Sequence, residues 1–111
     1  RSQLDRLNIR KLLNAAYQLE AREKAAVFKM IRDKATEDLL PELISRTGGR
    51  DHVARTHIIQ IISKFNTPEV LQTLEDLLKD TNRQIRAAAL LALGYQIFMQ
   101  WVAANPDSQQ E

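Results

Sequence analysis

The chain has 111 residues, enough for one small domain with a modest core, and its 44% apolar and 27% charged residues are ordinary for a globular protein. It contains no cysteine, which excludes a disulfide framework and a thiolate metal site. Three Gly and three Pro favour helices over a fold with many tight turns, and the net charge of +2 is too small to indicate a polyanionic partner by itself.

The first segment, residues 3–34, contains neither Gly nor Pro and is rich in strong helix formers. Apolar residues form one stripe from Ile9 to Leu19 and another from Val27 to Ile31, with charged residues between them. We predict two helices with a turn near Glu20. One uninterrupted helix is the alternative, because no helix breaker marks that turn.

The second segment, residues 36–65, predicts another pair of helices. Thr36 precedes two acidic residues and is expected to cap the first helix, which carries Pro41 early and ends at Gly48 and Gly49. The second helix is predicted over residues 51–65, and its expected core residues are Val53, Ile58, Ile61 and Ile62, packed against Leu71, Leu74, Ile85 and Leu93.

The third segment, residues 67–104, begins with Thr67 as a cap and Pro68 at the first helical position. Its second helix is expected to run on to Asn105, and residues 105–111 are predicted to be a polar, disordered tail. The stretch from Ala87 to Ala104 carries no charge. We interpret it as a buried core helix and do not expect membrane insertion, since its first half belongs to the motif described next.

Asp80 precedes Ile85 in the turn before the last helix, Arg86 follows, and Ala92-Leu93-Gly94 closes the segment. This pattern resembles the HEAT repeat family, and most closely its bacterial form. The spacing from Thr36 to Thr67 is 31 and that from Val53 to Ile85 is 32, as in stacked helical arrays. We therefore predict an all-α fold, an α-α superhelix in which residues 1–104 form a short HEAT-like solenoid of three helical pairs, at about 3–34, 36–65 and 67–104.

The resemblance implies a structural role for Asp80 and Arg86, because such side chains link the turns of adjacent repeats in the family. By the spacing of Val53 and Ile85, Gly48 and Ala54 stand at the equivalent positions of the preceding unit. We therefore expect an incomplete ladder of Asp and Arg residues between the turns.

Candidate chemical groups are sparse. His52 and His57 point in directions about 140° apart around a helix, so they cannot share a metal ion. Residues 47–50 include two glycines but lack the strand, lysine and spacing of a phosphate-binding loop. We expect no catalysis, no metal and no cofactor.

The resemblance instead implies a protein-interaction scaffold or adaptor, whose second helices form a concave binding face. Lacking a start methionine, the chain is expected to be a fragment of a larger regulatory, signalling or transport protein in the cytoplasm, with a protein partner or a neighbouring domain as its ligand. The residues predicted to line the face are Lys29, Asp33, His57, Gln60, Lys64 and Gln96.

Two other functions are compatible with parts of the sequence. Residues 1–35 hold nine basic and four acidic groups, so a nucleic-acid-binding array similar to the HEAT-like DNA glycosylases is the alternative. It would use Arg6, Arg10, Lys11, Lys24 and Lys29. An enzyme subunit similar to the phycobilin lyases is the more remote alternative. Low net charge and the missing acid–base set argue against both.

The last helix carries too many apolar residues for one buried stripe. We predict that Phe98, Trp101 and Val102 form a contact patch for a further repeat, another domain or a second copy of the chain, so that homo-oligomers form through this helix. The alternative is that Trp101 folds back as a cap that needs no partner.

Overall fold

A computed structural model describes residues 2–107, with side chains from residue 8 onward. Six α-helices make up most of this range, and no strand occurs within it. They are α1 (Ser2–Ala16), α2 (Ala21–Lys34), α3 (Leu40–Ser45), α4 (His52–Ile62), α5 (Pro68–Leu77) and α6 (Arg83–Ala104), and a 3-10 turn at Glu37–Leu39 leads into α3. Residues 108–111 of the predicted tail lie outside the described residues.

The helices are arranged as three stacked pairs. Helix α1 packs against α2, α3 against α4, and α5 against α6, so each pair is a hairpin of consecutive helices. The second helices also pack on one another, α2 on α4 and α4 on α6. The chain is therefore an all-α helical repeat in which α2, α4 and α6 form one continuous layer.

Residues 2–34 form two helices rather than one. The chain reverses after Ala16, where the amides of Gln18 and Leu19 bond to the carbonyls of Ala15 and Ala16. Ala16 is fully buried, and an edge-to-face contact between Tyr17 and Phe28, with ring centroids 6.0 Å apart, holds the two helices together. Side-chain packing thus produces the turn that no helix breaker marks.

Side-chain caps begin three of the helices. Each capping side chain accepts a hydrogen bond from the backbone N–H group three residues later in the chain. The Asp51 carboxylate accepts from Ala54 at 2.9 Å, the Thr67 hydroxyl from Val70 at 3.2 Å and the Asn82 amide oxygen from Ile85 at 3.0 Å. The expected cap at Thr36 is absent, because its hydroxyl bonds to the Asp38 carboxylate instead. The 3-10 turn follows, and α3 begins only at Leu40, just before Pro41.

The repeat spacing is 31 for both helices of a pair, which corrects the predicted spacing of 32 for the second helices. The caps Asp51 and Asn82 are separated by this spacing, so Ala54, not Val53, is equivalent to Ile85. Ala54 and Ile85 are both fully buried, whereas Val53 is 51% exposed and does not belong to the core. The other expected residues of α4, Ile58, Ile61 and Ile62, are buried.

Candidate functional site

Arg55 joins the second and third units at the turns between their helices. Its guanidinium is buried and donates hydrogen bonds to the Thr47 carbonyl and to the Asp80 carboxylate, both at 2.6 Å. The bond from Arg55 is the main cause that lowers the pKa of Asp80, and the Asn82 amide adds to it. The carboxylate therefore stays ionised and fixes the turn of one unit to the helix of the unit before it.

Lys24 forms a similar bridge between the first and second units, but its partner is the helix cap Asp51, which is equivalent to Asn82 and not to Asp80. Lys24 lies one repeat before Arg55, and its ammonium group is 3.0 Å from the Asp51 carboxylate. The pKa of Asp51 is lowered, chiefly by the hydrogen bond from the Ala54 amide and also by Lys24. The basic side of the predicted ladder is therefore more complete than expected: Arg55, not Ala54, is the equivalent of Arg86, and Lys24 takes that position in the first unit. The acidic side stays incomplete, because Gly49 stands at the position of Asp80.

Arg86 occupies the third position of this ladder, yet its side chain is exposed. Its guanidinium donates to the carbonyls of Asp80 and Thr81 in its own turn, at 2.9 and 3.2 Å. The spacing of Val53 and Ile85 does not reveal Arg55 as a ladder residue, because it shifts the register by one residue. No such apolar pair marks Lys24 in the first unit. The equal spacing of the polar caps is the signal in the sequence that could have found both.

A groove of about 640 Å³ crosses the layer of second helices. The side chains that line it come from α2, from α4 and the turn that follows it, and from α6, and they are mostly polar. They are Arg32, Asp33, Gln60, Ser63, Lys64 and Tyr95. We call this the polar groove. Of the six residues predicted for the concave face, Asp33, Gln60 and Lys64 line it, whereas Lys29 and His57 line a smaller depression between α2 and α4.

Internal contacts already hold several of these predicted residues. Lys29 pairs with Asp33 at 3.4 Å within α2, and the Lys64 ammonium donates to the backbone carbonyls of Arg32 and Ala35 at the end of α2. Their positive charges are therefore partly compensated within the fold. Gln60 is exposed, and the side chain of this residue is open to a partner at the centre of the face.

His57 stacks in parallel on Phe28, with ring centroids 4.8 Å apart and an angle of 10° between the planes. Burial is the main cause that lowers the pKa of His57, and the nearby positive charge of Lys24 lowers it further. The imidazole is therefore neutral near pH 7. Among the described residues, no group of three or more His, Asp or Glu side chains could hold a metal ion.

The structure contradicts the prediction that Gln96 lines the binding face. Only 3% of Gln96 is exposed, and its amide group donates to the carbonyls of Ser63 and Phe65 at the end of α4. Gln96 therefore joins α6 to α4 and is not available to a partner. Its neighbour Tyr95, which was not predicted as a binding residue, is exposed and lines the polar groove.

A second groove of about 470 Å³ lies between α4 and α6 and adjoins the polar groove. It shares Gln60, Ser63 and Tyr95 with that groove, and the rest of its lining is mainly apolar. The apolar residues are Ile59, Ala87, Ala88, Leu91 and Ala92. We call this the apolar groove. Leu91 lines it with most of its side chain exposed.

The end of α6 lies largely in solvent. Phe98 and Trp101 are more than half exposed and Val102 is partly buried, so Trp101 is not the enclosed cap of the alternative interpretation. Helix α6 is long and apolar enough to cross a membrane by length and composition alone, and 17% of its most apolar stretch is buried. The prediction that this stretch is a buried core helix is therefore wrong, since only one face of α6 packs against the rest of the fold.

Three of the basic residues considered for nucleic-acid binding are paired with carboxylates. Arg10 pairs with Glu42, Lys24 with Asp51 and Lys29 with Asp33. Lys11 is exposed, and the side chain of Arg6 lies outside the described residues.

A family model described as HEAT repeats matches residues 9–94, which include parts of all three helical pairs. Neither the curated proteins nor the solved structures gave a match to the chain.

Proposed function

Because the chain belongs to the HEAT-repeat family, whose repeats commonly mediate protein interactions, we propose that it is a non-catalytic module that binds a protein segment along its concave face. The observation that carries this proposal is the pair of adjoining grooves across α2, α4 and α6. One groove is polar and the other apolar, and both are open to solvent.

The lining of the two grooves favours an amphipathic ligand. A segment that lies across both must place apolar side chains against Leu91 and Ala88 and polar groups against Gln60 and Asp33. Covering an exposed leucine contributes about 1.5–3 kcal/mol, so Leu91 supplies a large share of the affinity. An amphipathic peptide or helix has this chemistry, and it is a common ligand of helical grooves.

The proposal is tested with peptides selected from a random displayed library against the chain. A selected peptide should shift the amide resonances of Gln60, Ser63 and Tyr95 in a titration followed by two-dimensional NMR. Substituting Leu91→Asp should weaken binding roughly tenfold or more, because an apolar contact is replaced by a charge that must be desolvated. Leu91 is exposed, so the variant should remain folded.

Gln72→Asp is the matched control, since it introduces the same charge at an exposed position of α5, outside both grooves. This variant should bind the peptide as the unchanged chain does. Resonance shifts confined to α1, α3 and α5, or equal losses of affinity in both variants, would place the binding surface elsewhere and refute the proposal.

Nucleic-acid binding is not favoured, because three of the five basic residues that it needs are paired with carboxylates. The charge reversals Arg10→Glu and Lys11→Glu provide the test. Retention of an oligonucleotide that falls steeply with salt and is lost in this double variant would support the alternative instead.

A further inference from the structure

The regular repeat allows the same position to be compared in three units. Phe28, Ile59 and Leu90 are equivalent, one on each second helix. Phe28 is 1% exposed and Ile59 is fully buried, because the next unit covers each of them, whereas Leu90 is 63% exposed. The third unit thus exposes Leu90 on its outer side, whereas the equivalent residues of the first two units are buried against the next unit.

The ladder of cations is interrupted at the same end. Lys24 and Arg55 each reach the carboxylate in the turn of the following unit. Arg86 stands one repeat after Arg55, and its described hydrogen bonds are to carbonyl groups of its own turn. Its position is that of a cation whose carboxylate partner belongs to a following unit.

The opposite end of the stack has the complementary features. Met30 is equivalent to Ile61, which is 1% exposed and packs toward the preceding unit, but Met30 itself is 48% exposed. Glu20 lies one repeat before Asp51 and is exposed at the turn before α2, where its side chain makes no cap. This end therefore presents an apolar side chain, Met30, and a carboxylate, Glu20. The opposite end presents Leu90 and Arg86, which lack partners of this kind from a following unit.

We propose that copies of this chain stack head to tail, with the α1–α2 end of one copy seated on α6 of the next. Arg86 of one copy pairs with Glu20 of the other and continues the ladder, and Leu90 contacts Met30 as Phe28 contacts the following unit. This proposal rests on the ends of the stack and is independent of the grooves.

A second copy is the occupant that the charges favour. A symmetric contact between two α6 helices would leave Glu20 and Met30 of both copies outside the interface. In such a contact, Arg86 of each copy would not meet Glu20 of the other. Head-to-tail contact covers both ends of the stack with one interface. Such an interface is not self-complementary and continues the superhelix from copy to copy, so the proposed products are a series of open oligomers whose length rises with concentration.

The test is sedimentation velocity and light scattering over a hundredfold range of protein concentration. We expect the average mass to rise beyond that of a dimer. Arg86→Glu and Glu20→Arg should each weaken association roughly tenfold or more, because each places like charges opposite one another. An equimolar mixture of the two variants should associate again, since the carboxylate introduced at position 86 then faces the guanidinium introduced at position 20.

Arg50→Glu is the control, because it makes the same charge change at an exposed turn of the middle unit and should leave association unaltered. Circular dichroism checks that all variants are folded. A chain that remains monomeric at every concentration would overturn the proposal. So would a limiting dimer that Leu90→Asp dissociates and the two charge reversals leave intact, since that pattern identifies a symmetric contact between α6 helices.

Discussion

Replacing Arg55 by methionine tests whether the buried cation holds two repeat units together. Methionine keeps the apolar stem but removes the hydrogen bonds to the Thr47 carbonyl and the Asp80 carboxylate. Losing a hydrogen bond to a charged group costs about 1.5–3 kcal/mol, and a buried carbonyl left without its donor adds about 1 kcal/mol. Asp80 still accepts a bond from the Asn82 amide and reaches solvent, so we expect a total of about 3 kcal/mol.

The free energy of unfolding is measured by urea denaturation followed by far-ultraviolet circular dichroism, at low concentration to keep the chain dissociated. Arg86→Met is the matched control, because it makes the same substitution one repeat later at an exposed position. It should cost less than about 0.5 kcal/mol, as exposed substitutions usually do. Equal losses in both variants would show that the Arg55 pair does not hold the units together.

Three further predictions concern the core and the titrating groups. Ile61→Ala should lower the free energy of unfolding by about 2–5 kcal/mol, whereas Val53→Ala, at an exposed site, should change it by less than about 0.5 kcal/mol in the same urea titration. Because the pKa of His57 is lowered in the folded chain, the unfolded chain binds a proton first as the pH falls. The free energy of unfolding should therefore decrease as the pH falls from about 7 through the folded pKa. His57→Gln should make this decrease smaller when urea midpoints are measured across the same pH range. The lowered pKa of Asp80 contributes stability that is present above the unfolded value near 3.8 and is lost as the pH falls through the folded pKa. In Arg55→Met, the free energy of unfolding should decrease less over the same acid titration.

The helices and their pairing could be predicted from the sequence because local chemistry determines both. Thr67 and Pro68 mark the start of α5, and the apolar spacing of α4 distinguishes a helix from a strand despite its isoleucines. The register of the second helices was missed because Val53 is apolar and stands at the start of α4, where it resembles a core residue. Comparing the caps Asp51 and Asn82 would have given the correct spacing.

The binding surface was harder to predict, because a side chain's availability depends on contacts far away in the sequence. Gln96 lies on α6, which belongs to the layer of second helices, but its amide group donates to the carbonyls of Ser63 and Phe65, which follow the end of α4 and lack partners within that helix. Periodicity places Gln96 on a helix face and cannot show that another helix ends beside it. The same argument applies to Tyr95, which is exposed in the polar groove beside Gln60 and Ser63.

A stack of repeats separates stability from binding, because each unit contacts only its neighbours. The ladder from Lys24 to Arg55 lies at the turns, where its carboxylate partners close the units on one another. The grooves lie on the inner layer, and Leu90 faces the end of the stack. Substitutions on these three surfaces are therefore expected to have distinct effects: loss of stability at the ladder, loss of ligand at the grooves, and loss of association at the end. Arg55 and Leu91 share no described partner, so a substitution at the ladder and one at the grooves should add in a combined variant, whereas the adjacent residues Leu90 and Leu91 are the pair at which the groove and the end of the stack can influence each other.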